Sequence, residues 1–374
     1  MIERYIQKTI SEDFNRGKII VVMGARQVGK TTMIQHLPSE GKKLFLNCDD
    51  EEDRAVIEDK SSTVLKNILS NYDFVFIDEA QRINEIGMIL KKIGDLKLKT
   101  HIIVSGSSSF ELSGRINEPA TGRLIEYQLF PFSLGELSAH TCSHDESKML
   151  ENRMIYGTYP DVVNFPNDAR RILSGLVNNY LYKDILSYRG IKKPEVLQKL
   201  VKALALQVGS EVSFNELSNL IGIDKATVET YISLLSKCFI IFKLDSFSRN
   251  MRNEIKKGKK IYFWDNGIRN ALISNFAPLD SRNDRGALWE NLMISERMKR
   301  NFYLGNFAQL YFWRTLQMKE IDLIEELDGK IMAFEFKEKP GKVAKMPHDF
   351  IQNYPNATFE TITPDNCQDF LRLK

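Results

Sequence analysis

The stretch VVMGARQVGKTTM, residues 21–33, decides what fold this chain adopts. It fits the pattern G-x-x-x-x-G-K-[ST] through Gly24, Gly29, Lys30 and Thr31, with a strand-like run before it and a helix-like run after it. Glycines there let backbone N–H groups point into a concave nest, and the N-terminus of the next helix adds partial positive charge. The pattern predicts a loop that holds nucleotide phosphates. The alternative is a glycine-rich strand-to-helix turn.

The motif also assigns an expected role to its individual residues. We expect Lys30 to neutralise the β- and γ-phosphates, and the Thr31 hydroxyl to bind Mg²⁺. The implied ligands are therefore ATP and Mg²⁺. The residues expected to contact the nucleotide are Gly24, Ala25, Arg26, Gln27, Val28, Gly29, Lys30, Thr31 and Thr32.

A second motif, FVFIDEA, places Asp78 and Glu79 directly after four apolar residues. A buried strand that ends in two acids needs a reason to carry charge at its tip. We expect Asp78 to hold Mg²⁺ through water and Glu79 to polarise the attacking water. The alternative is a simple cap for the next helix.

Two further catalytic candidates follow in the chain. In HIIVSGSSS, Ser105 or Ser107 is expected to contact the γ-phosphate or the attacking water. In TGRLIEY, Arg123 is a candidate for sensing the γ-phosphate, either in its own subunit or across a subunit interface. Arg123 and Arg115 fit surface positions equally well.

Short apolar runs alternate with longer amphipathic stretches in the first third of the chain, which indicates a parallel sheet covered by helices. The predicted strands are 18–23, 43–48, 74–78, 101–106 and 124–129. The fold class is therefore α/β. We expect a P-loop ATPase core at 1–135, a helical lid-like segment at 136–190, a winged helix at 191–265 and a small α/β domain at 266–374.

The winged-helix prediction rests on two helical stretches separated by a turn at Gly222, with Asp224 capping the second helix. Two strand-like runs and a basic hairpin follow. The recognition helix, 224–236, would expose Lys225, Thr227, Glu229 and Thr230, and the hairpin carries Arg249, Arg252, Lys256, Lys257, Lys259 and Lys260. Binding along DNA or RNA phosphates and contact with a protein partner both remain open.

Four residues near the end of the chain, Glu290, Asp322, Glu335 and Lys337, resemble the order of the PD-(D/E)xK nuclease fold. That chemistry needs Asp322 and Glu335 to converge on Mg²⁺ with Glu290 nearby, while Lys337 orients or activates water. The alternative is that Glu335 and Lys337 only face water on an alternating strand.

Most of the chain resembles a family of predicted prokaryotic AAA+ ATPases with a C-terminal domain of unknown function. The stretches that carry the resemblance are GARQVGKTT, FIDEAQ, SGSSSFELSGR, GRLIEYQLFPFSLGEL, YGTYPDVV, KIYFWDNGIRN and GALWENLM. The chain departs from the family at YGTYP, where a second glycine is common, and at Ser105, where threonine is frequent. The resemblance implies an AAA+ core with its nucleotide site at 24–32 and 78–79.

Composition limits the classes of protein to which the chain can belong. The net charge is +3, there is no C-x-x-C pair, and no apolar run approaches a membrane span, so we expect a cytoplasmic protein that is not in a membrane. The function predicted is Mg²⁺-dependent ATP hydrolysis in a nucleotide-controlled module that acts on nucleic acid, with oligomers allowed. The alternative is a nucleotide-dependent protein-interaction switch with little turnover and an inactive nuclease-like scaffold. A transcriptional regulator is disfavoured because few base-reading side chains are present.

Overall fold

A computed structural model describes residues 2–107, 120–181, 194–248, 258–315 and 317–372, without the side chains of 179–181. The chain forms two compact units. The first comprises Met1–Pro131 and Lys237–Phe239, and the second comprises Phe132–Ser236 and Ile240–Lys374.

The first unit alternates strands and helices. Its strands are β1 Ile19–Met23, β2 Lys43–Asn47, β3 Phe74–Asp78, β4 His101–Gly106 and β5 Leu124–Gln128. Its helices are α1 Ile6–Asp13, α2 Lys30–Gln35, α3 Glu51–Ile57, α4 Ser62–Leu69 and α5 Ile86–Asp95, with short 3₁₀ turns at Phe14–Arg16 and Ala80–Arg82.

All five strands form one parallel sheet in the order β2-β3-β4-β1-β5. Every residue of β1 and β3 is buried, as expected for central strands of a parallel sheet that helices cover on both faces. The predicted α/β class with a parallel-sheet core is confirmed. This order places β4 between β1 and β3, so the loop after β1 and the acids after β3 open at the same edge.

The second unit contains the remaining elements. Its helices are α6 Leu134–His140, α7 Ser143–Tyr156, α8 Pro160–Asn164, α9 Ala169–Gly175, α10 Pro194–Leu206, α11 Phe214–Ile221, α12 Lys225–Lys237, α13 Asn266–Leu272, α14 Arg285–Tyr303, α15 His348–Asn353 and α16 Cys367–Leu371. One π-helical turn spans Leu176–Leu181. Its strands are β6 Glu211–Val212, β7 Ile241–Ser246, β8 Lys259–Phe263, β9 Gln309–Arg314, β10 Glu320–Leu327, β11 Lys330–Phe336 and β12 Thr358–Ile362.

These seven strands form one mixed sheet in the order β12-β11-β10-β9-β7-β8-β6. Strand β7 pairs in parallel with β9, with Asp245 opposite Tyr311. The sheet therefore continues from the predicted winged helix into the predicted C-terminal domain without a break at residue 265. The bounds of the four domains given above stay predictions.

Two stretches that carry the family resemblance, YGTYP and FWDNG, meet inside the second unit. The buried carboxylate of Asp265 accepts hydrogen bonds from the backbone N–H of Thr158 at 2.7 Å and of Ile268 at 3.1 Å, so it caps α13. A Cβ on Gly157 would lie 2.1 Å from Asp265 Oδ1. Gly157 is therefore required by close packing, and these motifs have a structural explanation. Among the described residues, no helix has both the length and the apolar character to cross a bilayer.

Candidate functional site

The loop between β1 and α2 has the backbone that the glycine pattern predicts. A Cβ at Gly24 would lie 2.1 Å from the carbonyl oxygen of Leu129, so a larger residue does not fit there. Gly29 has φ +90° where the chain enters α2, and Gln27 also lies in the left-handed region at φ +60°. Val28 is completely buried beneath the loop. The sequence thus forms the tight strand-loop-helix turn on which phosphate binding depends.

The Lys30 side chain folds back over this loop. Its ammonium group donates hydrogen bonds to the carbonyl oxygens of Gly24 at 2.9 Å and Ala25 at 3.0 Å, and the residue is only 5% exposed. Of the other predicted contacts, Arg26 is half-buried and Thr32 is exposed on α2. The lysine is therefore held at the loop itself.

Arg4 braces the loop from behind, a role that sequence reasoning did not predict. Its guanidinium donates to the carbonyl oxygen of Val28 at 2.8 Å and to that of Phe130 at 2.6 Å, and the residue is 5% exposed. It thereby ties the loop to the segment after β5. The only sequence signal was a charged residue inside the otherwise amphipathic start MIERYI.

Asp78, at the end of β3, lies next to the start of α2. The Thr31 hydroxyl donates to Asp78 Oδ2 at 2.6 Å, and the hydroxyl of Ser105, at the end of β4, donates to Asp78 Oδ1. Ser105 is fully buried and pairs with Val22 of β1, so it fills the gap between the acid and the loop. The structure therefore brings together three of the predicted residues from three different elements.

Glu79 follows in the left-handed conformation, at φ +52°. Its side chain does not cap the 3₁₀ turn that follows, and its Oε2 accepts a hydrogen bond from Gln81 Nε2. The same nitrogen lies 3.0 Å from the Ser107 hydroxyl. Gln81 is buried and its Oε1 has no hydrogen-bond partner among the described residues. Gln81 thus joins the predicted catalytic acid to a predicted γ-phosphate contact.

Arg123 lies elsewhere. It precedes Leu124, which pairs with Ile19 at the amino end of β1, whereas the phosphate loop begins at the carboxyl end, about 16 Å along the strand. Arg123 Nε donates to Asp95 Oδ1 at 2.6 Å. The structure does not bring Arg123 to the phosphate loop of its own chain, and a role across a subunit interface stays a prediction beside the alternative of a surface residue. Arg115 lies outside the described residues.

Three family models match separate parts of the chain. An AAA domain matches residues 16–138, a domain of unknown function (DUF8612) matches 147–279, and a second one (DUF4143) matches 285–363. The first match covers the parallel sheet and the phosphate loop. Residues 16–138 therefore have an AAA-type P-loop ATPase fold.

The chain is also similar to two uncharacterized proteins and to one solved structure. An uncharacterized protein of Haemophilus influenzae is 25% identical over 92% of this chain and 90% of its own length. An uncharacterized protein of Mycobacterium tuberculosis is 25% identical over 86% of this chain and 71% of its own length. A Walker-type ATPase of Pyrococcus abyssi superposes with a TM-score of 0.53 at 15% identity, over 73% of this chain and 96% of that one, and so shares the fold.

The second unit contains the four residues predicted as a nuclease-like site. Asp322 on β10 accepts a hydrogen bond from the backbone N–H of Phe336 at 2.8 Å, and Lys337 donates to Glu335 at 2.8 Å. Burial raises the pKa of Asp322 well above its usual value, and the nearby charges of Glu290 and Glu335 raise it further. Asp322 and Glu335 lie on neighbouring strands of the sheet, β10 and β11.

Lys260, on β8, lies among these acids. Its ammonium group is 3.0 Å from Glu290 Oε1 and also forms an ion pair with Glu320 Oε1. The Tyr262 hydroxyl donates to the same Glu290 oxygen at 2.6 Å. Among the described residues, no group of three or more His, Cys, Asp or Glu side chains is placed to hold a metal ion. The convergence of Asp322 and Glu335 on Mg²⁺ stays a prediction, and Lys260 and Lys337 form ion pairs with acids of this group.

The predicted recognition helix is capped as expected, since Asp224 Oδ1 accepts from the backbone N–H of Thr227 at 2.8 Å. The hydroxyls of Thr227 and Thr230 form local hydrogen bonds, to Asp224 and to the carbonyl oxygen of Ala226. Lys225 lies 3.9 Å from Glu229. The polar side chains that this helix was expected to offer to a ligand are thus engaged locally.

Only part of the basic hairpin can be compared with its prediction. Lys259 lies 3.7 Å from Asp245, and Lys260 is 1% exposed. The placement of Lys260 at an exposed hairpin tip was wrong, because this side chain points into the acidic cluster instead. Arg249, Arg252, Lys256 and Lys257 lie outside the described residues.

Proposed function

We propose that this chain binds ATP with Mg²⁺ at residues 24–32 and hydrolyses it with the help of Asp78 and Glu79. The observation that carries the proposal is the 2.6 Å contact between the Thr31 hydroxyl and Asp78, directly beside the loop that holds Lys30. A hydroxyl and a carboxylate are oxygen donors of the kind that Mg²⁺ uses when nucleotide phosphates supply its other ligands. The residues present therefore fit the metal.

Binding would use the loop backbone and Lys30. The N–H groups of residues 24–31 and the start of α2 offer donors and partial positive charge to the phosphates. The hydrogen bonds of Lys30 to the carbonyls of Gly24 and Ala25 are ones that a phosphate oxygen can replace, since a charged acceptor binds an ammonium group more strongly than a neutral one. Thr31 and Asp78 would hold Mg²⁺, which neutralises charge on the β- and γ-phosphates.

Glu79 would orient the attacking water and receive its proton. The water oxygen bonds to the γ-phosphorus as the bond to the β–γ bridging oxygen breaks and ADP leaves. Gln81 holds the Glu79 carboxylate and contacts Ser107, so it would act as a positioning residue between the base and the γ-phosphate region. Ser105, which donates to Asp78, would keep that carboxylate turned toward Thr31.

The test compares two variants with a control. We expect Lys30→Ala to abolish ATP binding in calorimetry, and Glu79→Gln to retain binding while turnover falls about 100-fold or more. Lys66→Ala, an exposed lysine on α4 of the same unit, is the matched control and should change neither quantity. Unchanged ATP binding in Lys30→Ala would refute the proposal.

For the target of the ATPase we retain two candidates. Action on nucleic acid is supported by the basic residues of the hairpin sequence, Arg249, Arg252, Lys256 and Lys257. Capture of a protein partner is favoured by the described residues, because Lys225 and Lys259 are already near acids. Fluorescence anisotropy with labelled single- and double-stranded DNA and RNA, over a series of salt concentrations and with ATP present, separates them. Salt-sensitive binding that weakens in a Lys256→Ala/Lys257→Ala variant supports nucleic acid, and its absence supports the protein switch.

A further inference from the structure

The cluster of acids in the second unit is built around one buried cation. Lys260 lies on β8 and is 1% exposed, and its ammonium group contacts Glu290 of α14 and Glu320 of β10. The ammonium nitrogen lies over the ring of Phe312 on β9, 5.5 Å from its centroid. Lys260 therefore contacts an aromatic ring as well as two carboxylates.

Every acid of the cluster has a partner of its own. Glu290 also accepts from the Tyr262 hydroxyl, Glu320 lies 3.4 Å from Arg314 Nε, Glu335 accepts from Lys337, and Asp322 accepts from the backbone N–H of Phe336. Burial by itself would lower the pKa of Lys260, but the charges of Glu290, Glu320 and Asp322 together outweigh burial and raise it. The Lys260 ammonium group is thus in direct contact with two carboxylates, those of Glu290 and Glu320.

We propose that the Lys260 ammonium group takes the cation position of this acidic cluster, so that the native chain binds no divalent metal there, and that removing Lys260 creates a metal site. The chemical class of the ligand that the vacated cluster would take is a hard divalent cation, Mg²⁺ or Mn²⁺. This proposal is independent of ATP binding at the phosphate loop.

Geometry and charge support this assignment. Mg²⁺ needs oxygen ligands at about 2.0–2.1 Å in near-octahedral arrangement, and an ammonium group within hydrogen-bond distance of the same oxygens excludes it sterically and by repulsion. The lysine is covalently attached, so it competes without loss of translational freedom. Binding of a metal ion would also take the carboxylates away from the buried ammonium group of Lys260, and leaving that charge unpaired is strongly unfavourable.

The experiment measures Mn²⁺ binding by electron paramagnetic resonance in nucleotide-free protein. We expect Lys260→Met, which keeps the length and packing of the side chain, to bind one additional Mn²⁺. A double variant, Lys260→Met with Asp322→Asn, should bind that additional Mn²⁺ at least about tenfold more weakly. Lys260→Arg is the matched control, because it retains the positive charge and should bind no additional ion. A folded Lys260→Met protein without additional Mn²⁺ would overturn the proposal.

The native protein provides a second arm that does not depend on whether Lys260→Met folds. Its Mn²⁺ titration is compared with those of Asp322→Asn and Glu335→Gln, with folding checked by circular dichroism. Indistinguishable titrations support the proposal. Native binding of an ion that either variant loses would show that the acids hold a metal beside Lys260, and the proposal would be wrong. Because Lys30 and Asp78 are unchanged throughout, ATP binding by the same samples reports on the phosphate loop separately.

Discussion

Two buried lysines, Lys30 and Lys260, differ in the kind of group that their ammonium groups contact. Lys30 is 5% exposed and donates to two neutral carbonyl oxygens of its own loop, whereas Lys260 is 1% exposed and contacts two carboxylates from other elements. The same contrast holds for the acids: the hydroxyls of Thr31 and Ser105 approach Asp78, while ammonium groups approach Glu290 and Glu335.

The difference teaches that the partner of a buried charge, rather than the charge itself, indicates whether a cluster is suited to bind a ligand. Hydrogen bonds to neutral groups are replaced at low cost when a phosphate or Mg²⁺ arrives, because the incoming group is the stronger partner. An ion pair between buried groups is broken only by leaving a charge without compensation. The phosphate loop is thus suited to ligand exchange, whereas Glu290 and Glu320 of the acidic cluster already share a cationic partner.

The largest expected effect tests this contrast on two aspartates. Asp78→Asn should lower the rate of ATP hydrolysis by about 100-fold or more, because the amide loses the negative charge that would hold Mg²⁺. Asp322→Asn should leave the rate unchanged, since Asp322 belongs to the second unit and accepts its hydrogen bond there, from the backbone N–H of Phe336. Steady-state phosphate release measures both. Equal losses in the two variants would contradict the division between the two places.

A smaller effect is expected at the brace behind the loop. Arg4→Ala leaves the carbonyls of Val28 and Phe130 without their buried donor and should cost about 2–3 kcal/mol of unfolding free energy, with weaker ATP binding. Chemical denaturation and calorimetry measure these quantities. Arg16→Ala removes an arginine whose side chain is 67% exposed and should change the free energy by less than about 1 kcal/mol. If the two variants lose stability equally, Arg4 does not act through these bonds.

The smallest expected effect concerns pH. Because burial and the charges of Glu290 and Glu335 raise the pKa of Asp322, the folded state takes up a proton that the unfolded state has released. Stability from this group therefore falls as pH rises from the ordinary carboxyl value through the raised pKa. The amide side chain of the Asp322→Asn variant can still accept the hydrogen bond from Phe336. The free energy of unfolding of this variant should not show the fall with pH, and at neutral pH it should exceed that of the native chain by up to about 1 kcal/mol. Unfolding free energies measured across this pH range test the prediction, and parallel pH profiles would contradict it.

The sequence was sufficient for the parts of the fold and site that rest on local rules. All five strands of the first sheet were predicted to within a residue or two, and the buried central strands β1, β3 and β4 are continuous apolar runs over most of their length. The loop followed from Gly24 and Gly29, and the cap of α12 from Asp224. These features depend on neighbours in the chain, which a pattern records.

The sequence was insufficient where distant elements decide the outcome. Nothing local indicates that Arg4 reaches Val28, or that Lys260 turns inward while Lys259 stays near Asp245 at the surface. The position of Arg123 depends on strand register, since TGRLIEY does not reveal which end of the sheet the arginine occupies. Only the packed structure supplies these relations.

The pairing of β7 with β9 has a practical consequence for dissecting the protein. Phe247, just after β7, donates its backbone N–H to the carbonyl oxygen of Phe312 at 2.6 Å and packs in one apolar cluster with Trp313 and Ile324. A fragment that stopped near residue 265 would expose an unpaired edge and an aromatic side chain, and a fragment that began there would lack Phe247 from its interior. Expression trials and deletion libraries should therefore keep residues 240–336 on a single polypeptide.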